Sequence, residues 1–232
     1  MRVLISSFLL LFLTFTHSVS AEGRPVVVEL FTSQGCSSCP PADEILTRLS
    51  KQKNVIALSL HVDYWDYLGW KDDFASKAHS DRQRAYARVA SKRTIYTPQM
   101  VIQGTSHAVG NRASDVASLV AHHSNKLNVV DLSLKRNGNK LAITARAKSG
   151  SVGRTSIQLV RFMPRKSVKI RAGELAGRQL HYTNIVTEWH ALSQWNGHGE
   201  KTLKVDITGD DAIVVLIQSV GLGPIIAAEV LH

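Results

Sequence analysis

The sequence predicts an α/β unit followed by an all-β unit of sandwich type. Two short apolar runs, Pro25–Phe31 and Val55–Leu60, enclose a helical pattern, which is typical of a parallel βαβ unit. The hydrophobic period then changes to two after Lys126, where apolar and polar residues begin to alternate. A pair of cysteines lies between the first apolar run and the helical pattern, so the chemistry is expected in the α/β unit.

The N-terminus has the pattern of a secretory signal peptide. Arg2 places a positive charge before the apolar run Leu4–Phe15, which is shorter than the roughly 20 residues of a membrane-spanning helix. Small residues precede a cleavage site after Ala21, and an uncleaved anchor is the alternative. We therefore expect a periplasmic or secreted protein with no transmembrane segment in the mature chain. The predicted divisions are a signal peptide at 1–21, an α/β domain at 22–126 and a β-sandwich-like domain at 127–232.

The α/β part contains further helical and strand patterns in order. Pro40 and Pro41 suit the first turn of a helix, where missing N–H groups are tolerated. The polar stretch from Trp65 to Arg93 has helical spacing and predicts a helical insertion before the next strand. That strand is expected at 99–104, and a helix is expected near 114–123.

The C-terminal part shows strand signals and no strong helix. Asn137-Gly138 predicts a tight hairpin between two strands of alternating pattern. Further strand candidates are Ile157–Phe162, Leu180–Trp189, Leu203–Ile207, Ala212–Gln218 and Ile225–Leu231. Short strands separated by turn signals favour an all-β sandwich.

The chain is strongly basic, with a formal net charge of +10. Nucleic acid is not an expected partner for an exported protein, so an anionic envelope surface or an acidic partner fits the charge better. One basic group stands out in the β part, formed by Arg161, Arg165, Lys166, Lys169 and Arg171. A solvated basic face is the alternative interpretation of this group.

The two cysteines, Cys36 and Cys39, predict redox chemistry. The loop that they close is too short to restrict much chain entropy, so a purely stabilising disulfide explains them poorly. A helix N-terminus after a buried strand stabilises a thiolate at the first cysteine, which makes Cys36 the expected nucleophile. Cys39 is then placed to attack a mixed disulfide and release the partner protein.

The order of strand, CxxC, helix, strand, helical insertion, Thr97-Pro98, strand and helix resembles the thioredoxin fold over roughly residues 25–123. The resemblance implies a central sheet flanked by helices. It also implies that Pro98 is a cis-proline packed opposite the dithiol and that Thr97 presents its backbone to a substrate strand. Glu29 falls near the place of the buried acid that assists proton transfer to the second cysteine.

A narrower resemblance covers nearly the whole mature chain. The motifs are ELFTSQGCSSCPPAD at 29–43, HVDYWD at 61–66, YTPQ at 96–99 and VVLIQ at 214–218. They are similar to one exported, thioredoxin-like family of unknown function. This resemblance implies fold and compartment but no substrate.

The expected function is an exported thiol–disulfide oxidoreductase that acts on protein thiols and disulfides with a redox partner protein. No cofactor and no resident metal are expected. His61, Asp63 and Trp65 follow the second strand and are candidates for the substrate groove, although packing of a loop explains them equally well. Two alternatives stay open: a non-catalytic binding module with a static disulfide, and a copper-handling protein that uses His61 and His107.

Overall fold

The computed structural model describes residues 24–209 and 211–231, so the predicted signal peptide lies outside the described residues. The described chain forms eleven β-strands, three α-helices and one short 3-10 helix at Asp66–Leu68. The helices are α1 (Pro40–Leu49), α2 (Lys77–Val89) and α3 (Ala113–Ser124). The strands are β1 (Val26–Thr32), β2 (Val55–His61), β3 (Gln99–Ile102), β4 (Ser106–Val109), β5 (Val130–Asn137), β6 (Lys140–Ser151), β7 (Thr155–Lys169), β8 (Gln179–Trp195), β9 (His198–Asp206), β10 (Ala212–Ser219) and β11 (Ile225–Leu231).

The predicted fold class, a thioredoxin-like α/β domain followed by a separate all-β sandwich, is wrong. Eight strands from both parts of the chain form one mixed sheet in the order β11-β10-β7-β8-β2-β1-β3-β4. The junction is a parallel pairing of β2 with β8, at Ser59 and Ile185. Phe31 of β1 and Leu216 of β10 also belong to the same apolar cluster. The described chain is therefore mainly β-structure around a shared core.

The first βαβ unit forms as its sequence predicts. All seven residues of β1 are buried, because the sheet is covered on both faces and only apolar or paired side chains are tolerated there. β1 and β2 pair in parallel, and α1 connects them. α1 begins at Pro40 and packs Ala42, Ile45, Leu46 and Leu49 against one face of the sheet.

The other face of the large sheet carries α2, whose Tyr86 is buried among the side chains of β1, β2 and β10. A second sheet, β5-β6-β9, packs its apolar side chains against the outer part of the large sheet. The β5–β6 hairpin at Asn137-Gly138 is confirmed, with Asn137 paired to Lys140. Gly138 has φ +57°, a conformation that glycine adopts without a steric penalty. None of the helices in the described ranges is long and apolar enough to cross a membrane.

Candidate functional site

Cys36 and Cys39 form a disulfide in the loop between β1 and α1, which confirms the predicted disulfide bond. The S–S distance is 2.07 Å and the Cα atoms lie 5.4 Å apart. Cys39 is the N-cap residue of α1, so the pair stands at the positive end of the helix dipole. Cys36 is 2% exposed and Cys39 is 0% exposed, whereas Ser37 and Ser38 between them are exposed. The turn that carries the disulfide is therefore at the surface, and its sulfur atoms lie just beneath.

The loop before the disulfide is held by buried polar contacts. The backbone N–H of Gln34 donates to Oδ2 of Asp72 at 2.8 Å, and Nε1 of Trp70 donates to Oε1 of Gln34 at 2.7 Å. The same Asp72 oxygen lies 2.6 Å from Nδ1 of His61. His61 is fully buried, with its ring against Phe74 and Tyr182 at centroid distances of 5.3 and 4.7 Å. His61 is thus an interior residue and does not line an open groove.

Trp65 connects the disulfide loop to Thr97. Its Nε1 donates to Oγ1 of Thr97 at 2.7 Å, and the Thr97–Pro98 peptide bond is cis. A Cβ placed on Gly35 would lie 3.2 Å from Cβ and 3.3 Å from the carbonyl oxygen of Trp65, so Trp65 lies directly against the residue before Cys36. The structure therefore brings Trp65 and Thr97 to the same surface as the disulfide.

Pro98 is linked to the first turn of α1 through a glycine. A Cβ on Gly110 would lie 3.1 Å from Cβ of Pro98 and 3.2 Å from Cβ of Ala42. Gly110 allows this close approach because it has no side chain. Pro98 is thus packed next to the first turn of α1, the helix that Cys39 caps.

Asp63 and Glu29 lie apart from the disulfide surface. Asp63 is bound to α2, since its carboxylate accepts a hydrogen bond from Oγ of Ser80. Glu29 points to the face of the sheet opposite α1, where Arg82 donates to it at 2.6 and 3.0 Å and the Tyr86 hydroxyl donates at 2.6 Å. Side chains alternate along a strand, so the face of β1 that meets α1 carries Leu30 instead.

A buried acid close to the disulfide in the chain is Asp43 of α1, four residues after Cys39, which the sequence patterns did not single out as a site residue. Asp43 is 6% exposed, and its Oδ1 has no hydrogen-bond partner. Burial raises the pKa of Asp43 well above its ordinary value; the nearby Thr32 opposes the rise, and the charges of Asp72 and Glu44 add to it. A signal was present in the sequence, because Asp43 lies three residues before Leu46 and thus close to the apolar stripe of α1.

The predicted basic group and the two histidines considered for copper do not form compact sites. Arg161 of the basic group is 7% exposed and donates to the backbone of Thr208 at 2.7 Å, while its neighbours from Arg165 to Lys169 extend along the exposed end of β7. His61 faces α1, whereas His107 packs near Tyr86 on the other face of the sheet. Within residues 24–209 and 211–231, no group of three or more His, Cys, Asp or Glu is placed to hold a metal ion.

Comparisons with known proteins give a family and two structural neighbours. No curated protein matches this chain. Protein AGR_C_4864 from Agrobacterium tumefaciens is 30% identical, with a TM-score of 0.78 over 90% of this chain and 95% of that chain. HBP35 of Porphyromonas gingivalis shares the fold at 14% identity, with a TM-score of 0.59 over 90% of this chain and 75% of that chain. Residues 27–218 match one family over most of the chain, so this protein belongs to the family described as "Protein of unknown function (DUF1223)".

Proposed function

We propose that this protein is an exported thiol–disulfide oxidoreductase that exchanges disulfides with envelope or secreted proteins through Cys36 and Cys39. The observation that carries the proposal is the position of the disulfide at the N-terminus of α1, beneath the exposed Ser37-Ser38 turn. A three-residue separation closes a loop that contributes little to stability, so an exchange role explains the pair better than a stabilising one. The helix N-terminus favours a thiolate at this position.

The exchange proceeds in two steps in the reducing direction. The Cys36 thiolate attacks one sulfur of a client disulfide, which forms a mixed disulfide and releases the other client sulfur as a thiolate. Cys39 loses its proton and attacks Sγ of Cys36, which breaks the mixed disulfide and forms the Cys36–Cys39 bond. The client has gained two electrons, and a redox partner protein with a dithiol must return two electrons to this chain. The reverse sequence oxidises a client.

Trp65 and Thr97 are proposed to border the client site. Their hydrogen bond holds two loops next to Gly35, so an extended client segment can reach the turn at Ser37. The exposed basic residues of β7 support a proposed contact with an anionic envelope surface.

Trapping of mixed disulfides tests the proposal. The Cys39→Ser variant of the full chain should accumulate adducts with envelope proteins that a reductant removes, because the resolving sulfur is missing. Cys36→Ser is the matched control and should accumulate far fewer adducts. Equal adduct levels in the two variants would contradict the assigned roles of attacker and resolver.

The second candidate is a binding module with a static disulfide, and the near-complete burial of both cysteines favours it. Titration of the wild-type disulfide against glutathione separates the two candidates. A pair that opens within the range of the glutathione couple supports the oxidoreductase. A pair that resists reduction, with a potential below about −300 mV, supports the static module.

A further inference from the structure

Buried polar atoms without partners gather around one carboxyl group below the disulfide. Among the described residues, eight buried side-chain polar atoms have no hydrogen-bond partner. Five of these belong to side chains around Asp43, namely Thr32 Oγ1, Asp43 Oδ1, Ser59 Oγ, His61 Nε2 and Tyr182 Oη. An unpaired buried polar atom is destabilising, and native structures contain few of them, so five in one place need an explanation.

The fold places these side chains next to each other from four elements. Thr32 of β1 is paired with His61 of β2, and Ser59 lies on the same face of β2 as His61. Tyr182 of β8 stacks edge-on against the His61 ring at 4.7 Å. α1 covers this face of the sheet: Oγ1 of Thr47 donates to the carbonyl oxygen of Asp43 and lies 2.9 Å from Oγ1 of Thr183, the residue after Tyr182.

Asp43 lies one helical turn after Cys39. The backbone N–H of Asp43 donates to the carbonyl oxygen of Cys39 at 3.1 Å. Side chains four residues apart share a helix face, with Cβ atoms roughly 5 to 6 Å apart, and they lean toward the helix N-terminus. The Asp43 carboxyl therefore leans toward Cys39, and both side chains are shielded from solvent.

We propose that Asp43 is the proton-transfer residue for Cys39, a role that rests on the proposed exchange function. Its carboxylate accepts the Sγ proton of Cys39 as that sulfur attacks Cys36 in the mixed disulfide. The Cys39 electron pair forms the new S–S bond, and the client sulfur leaves with the electron pair of the broken bond. When the Cys36–Cys39 disulfide is opened, the Asp43 carboxylic acid returns the proton to the Cys39 thiolate.

The environment of Asp43 suits this transfer. Glu44 on its own helix, Asp72 in the loop before α2, His61 of β2 and Tyr182 of β8 are the titratable groups that face it, and Thr32 of β1 supplies a hydroxyl. Burial, and after it the negative charges of Asp72 and Glu44, raise the pKa of the carboxyl, which makes its ionised form a stronger proton acceptor. Glu29 is held on the opposite face by Arg82 and Tyr86 and is not available to Cys39.

The pH profile of disulfide formation tests the inference. Reduced full-length protein is reoxidised with oxidised glutathione between pH 5 and pH 9, for the wild type and for Asp43→Asn. We expect Asp43→Asn to form the Cys36–Cys39 disulfide roughly tenfold or more slowly near neutral pH. The difference in rate between the wild type and Asp43→Asn should become smaller at alkaline pH, because solvent hydroxide then removes the thiol proton.

Asp115→Asn is the matched control, because it removes an exposed carboxyl from the first turn of another helix, α3. Its rate of disulfide formation should stay within about twofold of the wild-type rate, as expected for a surface charge. A wild-type disulfide that glutathione does not open would overturn the proposed function and this inference with it. A reactive wild type together with an unchanged pH profile in Asp43→Asn would overturn this inference alone.

A measurement on the unmutated protein guards against a folding defect in the variant. The carboxyl carbon of Asp43 is titrated by NMR in the oxidised and the reduced wild-type protein. Proton transfer between Asp43 and Cys39 requires coupled titrations, so the midpoint of Asp43 should differ between the two redox forms. Identical midpoints in both forms would overturn the assignment.

Discussion

Asp72 and His61 form a pair in the protein interior, with Oδ2 of Asp72 only 2.6 Å from Nδ1 of His61 and both side chains shielded from solvent. The same carboxylate oxygen accepts the backbone N–H of Gln34, two residues before Cys36. One carboxylate therefore fixes both the end of β2 and the loop that leads to the disulfide.

We expect Asp72→Ala to lower the free energy of unfolding by about 3 kcal/mol, since it leaves His61 and the Gln34 N–H without their buried acceptor. Chemical denaturation measures the change. Asp73→Ala is the control, because Asp73 is the exposed neighbour and should change stability by less than about 0.5 kcal/mol. Equal effects of the two substitutions would contradict the anchoring role of Asp72.

The hydrogen bond between Trp65 and Thr97 should be measurable by a double-mutant cycle. Trp65→Phe and Thr97→Val each remove one partner of the 2.7 Å contact. We expect a coupling energy of about 1 kcal/mol, so the double variant should be more stable than the sum of the single losses predicts. Strictly additive losses would show that the contact does not join the two loops.

The ion pair of Arg82 with Glu29 predicts a large stability loss when it is broken from one side. Arg82→Met leaves a fully buried carboxylate without its cation and should lower the free energy of unfolding by about 3 to 5 kcal/mol. Arg84→Met on the same helix breaks only an exposed pair with Asp81 and should leave the free energy of unfolding close to that of the wild type. Adding Glu29→Gln to Arg82→Met should recover part of the loss.

His123 predicts an acid-dependent loss of stability. Its side chain is buried, and burial followed by the charges of Lys126 and His122 lowers its pKa to about 4 from the ordinary 6.5. Between these two values the unfolded chain binds the proton that the folded chain rejects, so the free energy of unfolding should fall as the pH decreases from about 6.5 to about 4.

The size of this effect should be roughly 1 to 2 kcal/mol, read from urea unfolding at several pH values. His123→Gln keeps a hydrogen-bonding group beside Ser106 and should flatten this part of the pH dependence. His198→Gln, which replaces an exposed histidine at the start of β9, should leave it unchanged. If the free energy of unfolding of His123→Gln depended on pH as it does in the wild type, other groups would be responsible for the loss of stability in acid.

The local elements were predictable because their signals are local. The apolar run that became β1, the Pro40 start of α1 and the Asn137-Gly138 hairpin are confirmed, and β11 has the predicted bounds at Ile225 and Leu231. β7 and β8 extend well past their predicted ends, since their outer halves are polar and pair mainly with each other. The short strand β4 carries too few apolar residues to be recognised.

The joining of both parts in one sheet was not predictable from patterns of this kind. A period of two indicates that a segment is a strand but not which strand it pairs with, and the contact of Ser59 with Ile185 is a long-range pairing. The candidate site shows the same limit. The CxxC spacing identifies Cys36 and Cys39 from the sequence alone. The burial of Asp43 depends on β8, which covers the neighbouring part of α1 and lies far away in the chain.

The contact between α1 and β8 also limits which sequence changes the family can tolerate. Oγ1 of Thr47 and Oγ1 of Thr183 lie 2.9 Å apart although 136 positions separate them in the chain. The helix that follows the cysteines and the strand that covers it are therefore expected to change together during evolution. A chimera that takes residues up to 126 from one relative and the remainder from another would keep both cysteines. Its α1 and β8 would come from different proteins, so their contacting surfaces would not match. Such a constraint should appear as correlated substitutions between α1 and β8 in the sequences of related proteins.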